Sequence, residues 1–299
     1  MNLSSPRISF IIPTFNREEF LPIVLESLLE QLGSNHEIVV IDDGSTDNTK
    51  AVVQRYIAEN VRYIRISNSE RGAARNFGAT VSRSDYLNFF DSDDYALPNH
   101  VSVAENFICS NENPDWFHLN FAFLQDGKLT SAPSFSDFQS LEDALVDGNC
   151  FSCNGVFVKR NFFLNNLFSE DRELSGSEDY ELWLRLYWKS KPLFSNVVTS
   201  VVVDHQNRSV KHGVDERFFL RIQSLMRSVD LIKTNTPGDY LKIRRIKSGI
   251  YSYGSLHTSD RVTTKFWAMM YLVYSFIQCP SVVFNRRILV VIRNLLFRW

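Results

Sequence analysis

Three short apolar runs in the first ninety residues each end in a cluster of polar or acidic residues, and these repeated strand tips most restrict what the chain can become. Residues 8–12 form one run, stopped by Pro13 and followed by Thr14-Phe15-Asn16. Residues 37–41 form another, leading into Asp42-Asp43-Gly44-Ser45-Thr46-Asp47, and residues 86–90 a third, leading into Asp91-Ser92-Asp93-Asp94. Helical patterns lie between them. Over residues 18–32, Leu21, Val24, Leu25, Leu28, Leu29 and Leu32 recur at helical spacing until Gly33. A helix is expected to begin near Asp47, a period-two strand over 61–66, and a helix over 71–82. Strands alternating with helices predict βαβ units: a Rossmann-like α/β fold with a mainly parallel sheet and helices on both faces. The loops that bind ligands in such sheets lie at the carboxyl ends of the strands, where the acidic clusters fall.

The pattern changes near Pro98. A helix over 100–111 leads to a strand over 116–124, a turn at Asp126-Gly127, irregular Ser/Phe-rich sequence, a strand over 155–159, a helix over 178–189 and a strand over 197–203. This half reads as mixed sheet with long loops, the usual seat of substrate specificity. Beyond Asp215 the reading is helical throughout. The expected organisation is one α/β domain over 1–214, in halves 1–97 and 98–214, and a helical region over 215–299. Charge divides the same way. Residues 216–299 carry 14 Lys/Arg against four Asp/Glu, about +10, and the rest of the chain carries −12 within a total of −2. An acidic body suits metal and phosphate chemistry, and a basic tail suits an anionic surface. The four cysteines include one Cys150-x-x-Cys153 pair with no second pair to complete a zinc site, so free thiols are expected. Residues 1–7 lack the basic and apolar regions of a secretory signal, which implies a cytoplasmic location.

Crowding three carboxylates at the end of a hydrophobic strand is costly unless a cation offsets their repulsion. A hard divalent ion, Mg²⁺ or Mn²⁺, held by one or two carboxylates and a substrate's phosphates, removes that cost. The Asp42–Asp47 cluster also has good turn and N-cap chemistry. At Arg71-Gly72-Ala73-Ala74-Arg75-Asn76 small residues open a helix beside two cations, where an anion can approach.

Four segments together carry a resemblance: Ser9-Phe10-Ile11-Ile12-Pro13-Thr14-Phe15-Asn16-Arg17, Val40-Ile41-Asp42-Asp43-Gly44-Ser45-Thr46-Asp47, Gly72-Ala73-Ala74-Arg75-Asn76-Phe77-Gly78 and Asp91-Ser92-Asp93-Asp94. In order and spacing the chain resembles family 2 glycosyltransferases of the GT-A fold over residues 8–95, and more loosely to about residue 209. The resemblance implies a nucleotide-sugar donor, a UDP-sugar by default, and transfer with inversion to a saccharide or lipid-linked acceptor in cell-surface polysaccharide or glycoconjugate synthesis. It implies that Pro13, Thr14 and Asn16 line the nucleotide site with Glu18 nearby, that Asp43 pairs with the base, and that Asp42 supports that loop. Arg75, with Asn76 beside it, would approach the base or phosphates. Asp91 would face the ribose or donor sugar with Ser92 next to it, Asp93 would bind the metal, and Asp94 would hold the loop.

Further on, Ser177-Glu178-Asp179-Tyr180 resembles the family's Glu-Asp motif at a helix start, making Asp179 the general base and Glu178 the residue that orients acceptor or base. His205, in Val203-Asp204-His205-Gln206-Asn207-Arg208-Ser209, resembles the family's late His loop and is expected on the metal or diphosphate. Here Val203-Asp204 stands where the family commonly has an aromatic-Arg pair. Residues 266–284 are uncharged and just reach the length of a membrane span, but Pro280 interrupts them. With the basic, aromatic run to Trp299 they read as interfacial helices on anionic lipid through residues 265–299, peripheral on the cytoplasmic face, the alternative being helices packed on the catalytic domain or a dimer partner. Bulky aliphatics interleaved with the basic residues argue against nucleic acid. Two rivals remain at this level. A sugar nucleotidyltransferase predicts a Gly-rich, basic loop after the first strand, where this chain has Pro-Thr-Phe-Asn. A non-catalytic nucleotide- or glycan-binding module predicts no use for Asp93 and Asp179.

Overall fold

The computed structural model describes residues 7–58, 60–132, 144, 148–205, 214–232, 237–284 and 286–297. The chain divides into two compact units, one of residues 1–134 and 151–208, the other of 135–150 and 209–299. The second unit is discontinuous in the chain, and the sequence carries no signal that assigns 135–150 to it.

In the first unit, β1 (Ile8–Thr14), α1 (Leu21–Leu29), β2 (Glu37–Asp42), α2 (Thr49–Gln54), β3 (Val61–Arg65), α3 (Arg71–Val81) and β4 (Tyr86–Phe89) follow the expected alternation. Then come β5 (Tyr95–Ala96), α4 (His100–Ser110), β6 (Trp116–Gln125), β7 (Lys128–Ser131), β8 (Val156–Lys159), α5 (Arg160–Leu164), α6 (Glu178–Lys189) and β9 (Leu193–Val203). One sheet runs β3-β2-β1-β4-β8-β6-β9-β5, with β7 paired to β6. Its first four strands are parallel. From β8 onward it is mixed, because β8 is antiparallel to both β4 and β6 while β6 and β9 are parallel. Parallel pairing thus belongs to the first half of the sheet and mixed pairing to the second, the division expected near Pro98.

Helices cover both faces for a reason visible in the strands. All seven residues of β1 and all six of β2 are buried, so alternate side chains need cover on each side. Phe10, Ile12, Ile38 and Val40 share a core with Leu21, Val24, Leu25 and Leu28 of α1 and with Val101, Ala104 and Ile108 of α4. Ile11 and Ile41 point the other way, toward α3. A Cβ at Gly78 would lie 2.4 Å from Ile11 Cγ2, so glycine is what lets α3 sit this close to the sheet. Two helices start later than their apolar pattern suggests. Glu18 is used elsewhere: its N–H and carboxylate bond Asp47 and the Asn48 N–H (3.2 and 3.1 Å), so α1 begins at Leu21. Asp47 accepts from the Thr49 N–H at 3.0 Å, and α2 begins there.

The second unit contains α7 (Glu216–Leu231), α8 (Pro237–Thr258), α9 (Lys265–Gln278) and α10 (Arg286–Phe297). Small polar residues of α8 let its neighbours approach: Ser248 Oγ donates to Ser275 O and Ser255 Oγ to Ala268 O, both at 2.8 Å. Asn294 of α10 reaches Ser259 and Asp260 at 3.0 and 2.8 Å. The uncharged stretch over 266–284 is broken where Pro280 predicts, α9 ending at Gln278. Among the described residues no helix is long and apolar enough to cross a membrane. α9 buries Ala268, Tyr271 and Ser275 and leaves Phe266, Met269, Val273 and Ile277 more than half exposed. α10 leaves Leu289, Leu296 and Phe297 exposed beside Arg286 and Arg293.

Candidate active site

The loops after β1 and β2 lock each other at the sheet's carboxyl edge. Asn16 takes a positive φ of 52°. Its N–H donates to Ser45 Oγ at 2.9 Å and its Oδ1 accepts from the Thr46 N–H at 2.8 Å. Asp42 is fully buried, accepting from the Ser45 N–H at 2.7 Å and from the Tyr63 hydroxyl, so one oxygen holds the loop and the other is tied to β3. Asp43 donates its N–H to Thr14 O at 2.8 Å and accepts from the Ser69 and Glu70 N–H groups at 2.7 and 3.0 Å. Burial raises its carboxyl pKa, and the two backbone donors partly offset that. Glu70 is held there at φ 79°, ψ 160°, a conformation that side chains rarely adopt and that stores strain beside functional sites. Pro13 and Thr14 are buried at the end of β1, and Thr14 Oγ1 has no hydrogen-bond partner among the described residues.

The second group gathers on Arg75, in the first turns of α3. Its guanidinium is buried, donates to Asp91 Oδ1 at 2.7 Å and to Glu178 Oε1 at 3.0 Å, and lies over the Phe168 ring at 5.1 Å. It thereby ties the acidic tip of β4 to the start of α6. Arg71 adds a second contact to Glu178 at 3.4 Å. Burial would raise the Glu178 pKa, but Arg71, Arg75 and the Gly176 N–H outweigh it and hold the carboxyl at about 2. Asp179 sits beside it, half-buried, within the field of Arg75 and Arg71. Its Oδ1 accepts from the Tyr180 N–H at 2.7 Å.

The third group centres on Asp93. His205 Nε2 lies 2.9 Å from Asp93 Oδ2, and an Arg17 guanidinium nitrogen lies 3.5 Å from the same oxygen. Phe20 carries the His205 ring at a centroid distance of 4.9 Å. Asp94 is buried and turned away, accepting from the Val203 N–H at 2.8 Å and from Asn154 Nδ2 at 2.7 Å. Asn154 Oδ1 accepts in turn from the Asp91 N–H at 2.8 Å. The structure thus brings Asp91, Arg75 and Glu178 together, and Asp93 with His205. Ser92 is buried in the same loop. Asn76 turns elsewhere: its side chain bonds Phe168 N and O and Glu170 at 2.9–3.1 Å, holding the 168–170 segment. Arg75, read in the sequence as facing base or phosphates, has its terminal nitrogens on two carboxylates. Arg17, Phe20 and Asn154 enter from the structure alone. Asn154 stands next to Gly155, where a Cβ would meet Leu119 O at 2.3 Å, and that close approach sets the asparagine against the acidic loop. Among the described residues the four cysteines form no disulfide with one another.

Residues 9–158, half of the chain, match the model of glycosyl transferase family 2. The chain belongs to that family. This family 2 glycosyltransferase is 29% identical over 214 residues to an uncharacterised glycosyltransferase of Haemophilus influenzae, covering 69% of this chain and 79% of that one. The chain spans only 32% of the length of a curated Rickettsia felis glycosyltransferase to which it is 28% identical over 196 residues, and 27% of the Bacillus subtilis minor teichoic acid biosynthesis protein GgaA. Its structure resembles S. aureus TarS 1–349 in complex with UDP-GlcNAc, with a TM-score of 0.71, 17% identity, and coverage of 97% of this chain and 89% of that one. It also resembles the mannosyltransferase PcManGT from Pyrobaculum calidifontis in complex with GDP-Man and Mn²⁺, with a TM-score of 0.56, 15% identity, and coverage of 95% and 89%. These likenesses establish the GT-A-type architecture, with its mixed sheet and C-terminal helical segment. Among the described residues no group of three or more His, Cys, Asp or Glu is arranged to hold a metal ion. Mg²⁺-type sites need only one or two protein carboxylates when substrate phosphates complete them, a requirement the Asp93 carboxylate alone can meet.

Proposed function

We propose that the chain transfers a sugar from a nucleotide diphosphate sugar, a UDP-sugar, to a hydroxyl of a saccharide or lipid-linked acceptor with inversion, in cell-surface polysaccharide or glycoconjugate synthesis. The observation that carries this reading is the buried Arg75 bridge between Asp91 and Glu178, which joins the acidic tip of β4 to the Glu-Asp helix start 87 positions later. Donor-side and acceptor-side carboxylates then border one site. The UDP-GlcNAc complex of the TarS fold relative favours UDP as the nucleotide.

In this reading Asp179 accepts the proton of the acceptor hydroxyl as that oxygen attacks the anomeric carbon. Glu178 stays ionised and fixes the start of α6 on Arg71 and Arg75. Asp43 offers its carboxylate to the base, and Pro13, Thr14, Asn16 and Glu18 shape the nucleotide pocket through the interlocked loops. Asp93 and His205 would hold Mn²⁺ or Mg²⁺, which when bound would supply positive charge against the departing diphosphate. The exposed apolar stripes of α9 and α10, flanked by basic residues, rest on anionic lipid at the cytoplasmic face of the membrane.

The test is a screen of nucleotide sugars by thermal shift with Mn²⁺ present, followed by mass analysis of acceptor products. The reading expects one donor class to stabilise the protein and to yield an acceptor heavier by one sugar. Stabilisation without any transfer or donor hydrolysis points instead to a binding module.

A further inference from the structure

Two cationic or potentially cationic groups converge on Asp93 Oδ2. His205 approaches to 2.9 Å and the Arg17 guanidinium to 3.5 Å. Both rest on one platform, the Phe20 ring, with Arg17 at 5.6 Å from its centroid and the His205 ring tilted against it at 4.9 Å. The root of Arg17 is fixed, since its N–H donates to Thr49 Oγ1 at 3.1 Å, while a quarter of its side chain is exposed. The guanidinium can therefore turn on an anchored stem.

From this geometry we infer that Arg17 alternates between Asp93 and the donor's diphosphate. Without a cation it neutralises Asp93. A divalent ion on Asp93 and His205 repels it, and the nearest new anion is the diphosphate that the same ion recruits. A planar guanidinium suits bidentate capture of phosphate oxygens. The inference rests on the assignment of Asp93 and His205 to the metal and gives Arg17 a direct role in holding the leaving group.

An arginine with these two duties has opposite effects on two affinities, which a merely structural residue does not. The experiment uses the full chain as wild type, Arg17→Gln and Arg17→Lys. Mn²⁺ is titrated alone by the electron paramagnetic resonance signal of the free ion, and then UDP and GDP are titrated by calorimetry at saturating Mn²⁺. Removing the competing charge in Arg17→Gln should tighten Mn²⁺ binding by about three- to tenfold. It should weaken nucleotide binding by about tenfold or more, the scale of a lost charge-assisted contact. Arg17→Lys, which keeps the charge but not the fork, should restore wild-type Mn²⁺ affinity and only part of the nucleotide affinity. Unchanged Mn²⁺ affinity in Arg17→Gln, or weakening of both ligands together in either variant, overturns the inference. A wild type that binds nucleotide but no Mn²⁺ overturns the metal assignment first, and this inference with it.

Discussion

At the scale of single residues, the acidic motifs were legible because their members are neighbours in the chain. Asp91, Asp93 and Asp94 stand within four positions, and the apolar run before them marks a strand end. Their division of labour was not legible, since it depends on partners far away. Arg75 meets Glu178 across 103 positions and Asp94 meets Val203 across 109, and no local pattern encodes such pairings. Two predictions belong here. Asp179→Asn should lower transfer by about 10²-fold or more while leaving nucleotide binding intact, as measured by product formation and calorimetry. Glu178 is held at about 2, below its ordinary 4.5, so between those values the unfolded chain binds a proton that the folded chain refuses. Its contribution to stability is complete above pH 4.5 and is lost as pH falls toward 2. Glu178→Gln should flatten the pH dependence of urea unfolding across that window.

At the scale of elements, strands whose apolar runs are buried on both faces were read with nearly correct limits, and so was α6. The two residues of β5, the strand β7 and the early start of β9 at Leu193 escaped. Each is defined by the strand it pairs with and lacks a buried run or an alternating burial pattern of its own: all of β7 is exposed, and β9 opens with exposed Leu193 and Phe194. The limits of α1 and α2 shifted because Glu18 and Asp47 serve the neighbouring loops. Close approach of α3 to the sheet gives a prediction at this scale. Gly78→Ala places a methyl group 2.4 Å from Ile11 Cγ2 and should destabilise the protein by about 1–3 kcal/mol, the usual cost of overpacking, in urea titration.

At the scale of the whole molecule, charge separates an acidic body from a basic tail, residues 216–299 carrying 14 Lys/Arg against four Asp/Glu. Burial adds an acid sensitivity that composition does not reveal. It holds the His100 and His118 imidazoles at about 3, against an ordinary 6.5. Below pH 6.5 the unfolded chain takes up protons on both and the folded chain does not, so stability should fall as pH drops from 6.5 toward 3. Thermal unfolding midpoints recorded across that range check this. The exposed stripe of α9 predicts that replacing Met269, Val273 and Ile277 together by Glu reduces co-sedimentation with phosphatidylglycerol vesicles without changing nucleotide affinity. The most direct test of the central reading is a calorimetric titration of UDP with and without Mn²⁺, on wild type and on Asp93→Ala. The account predicts tight binding only when metal and Asp93 are both present; equal affinity in all four titrations would contradict it.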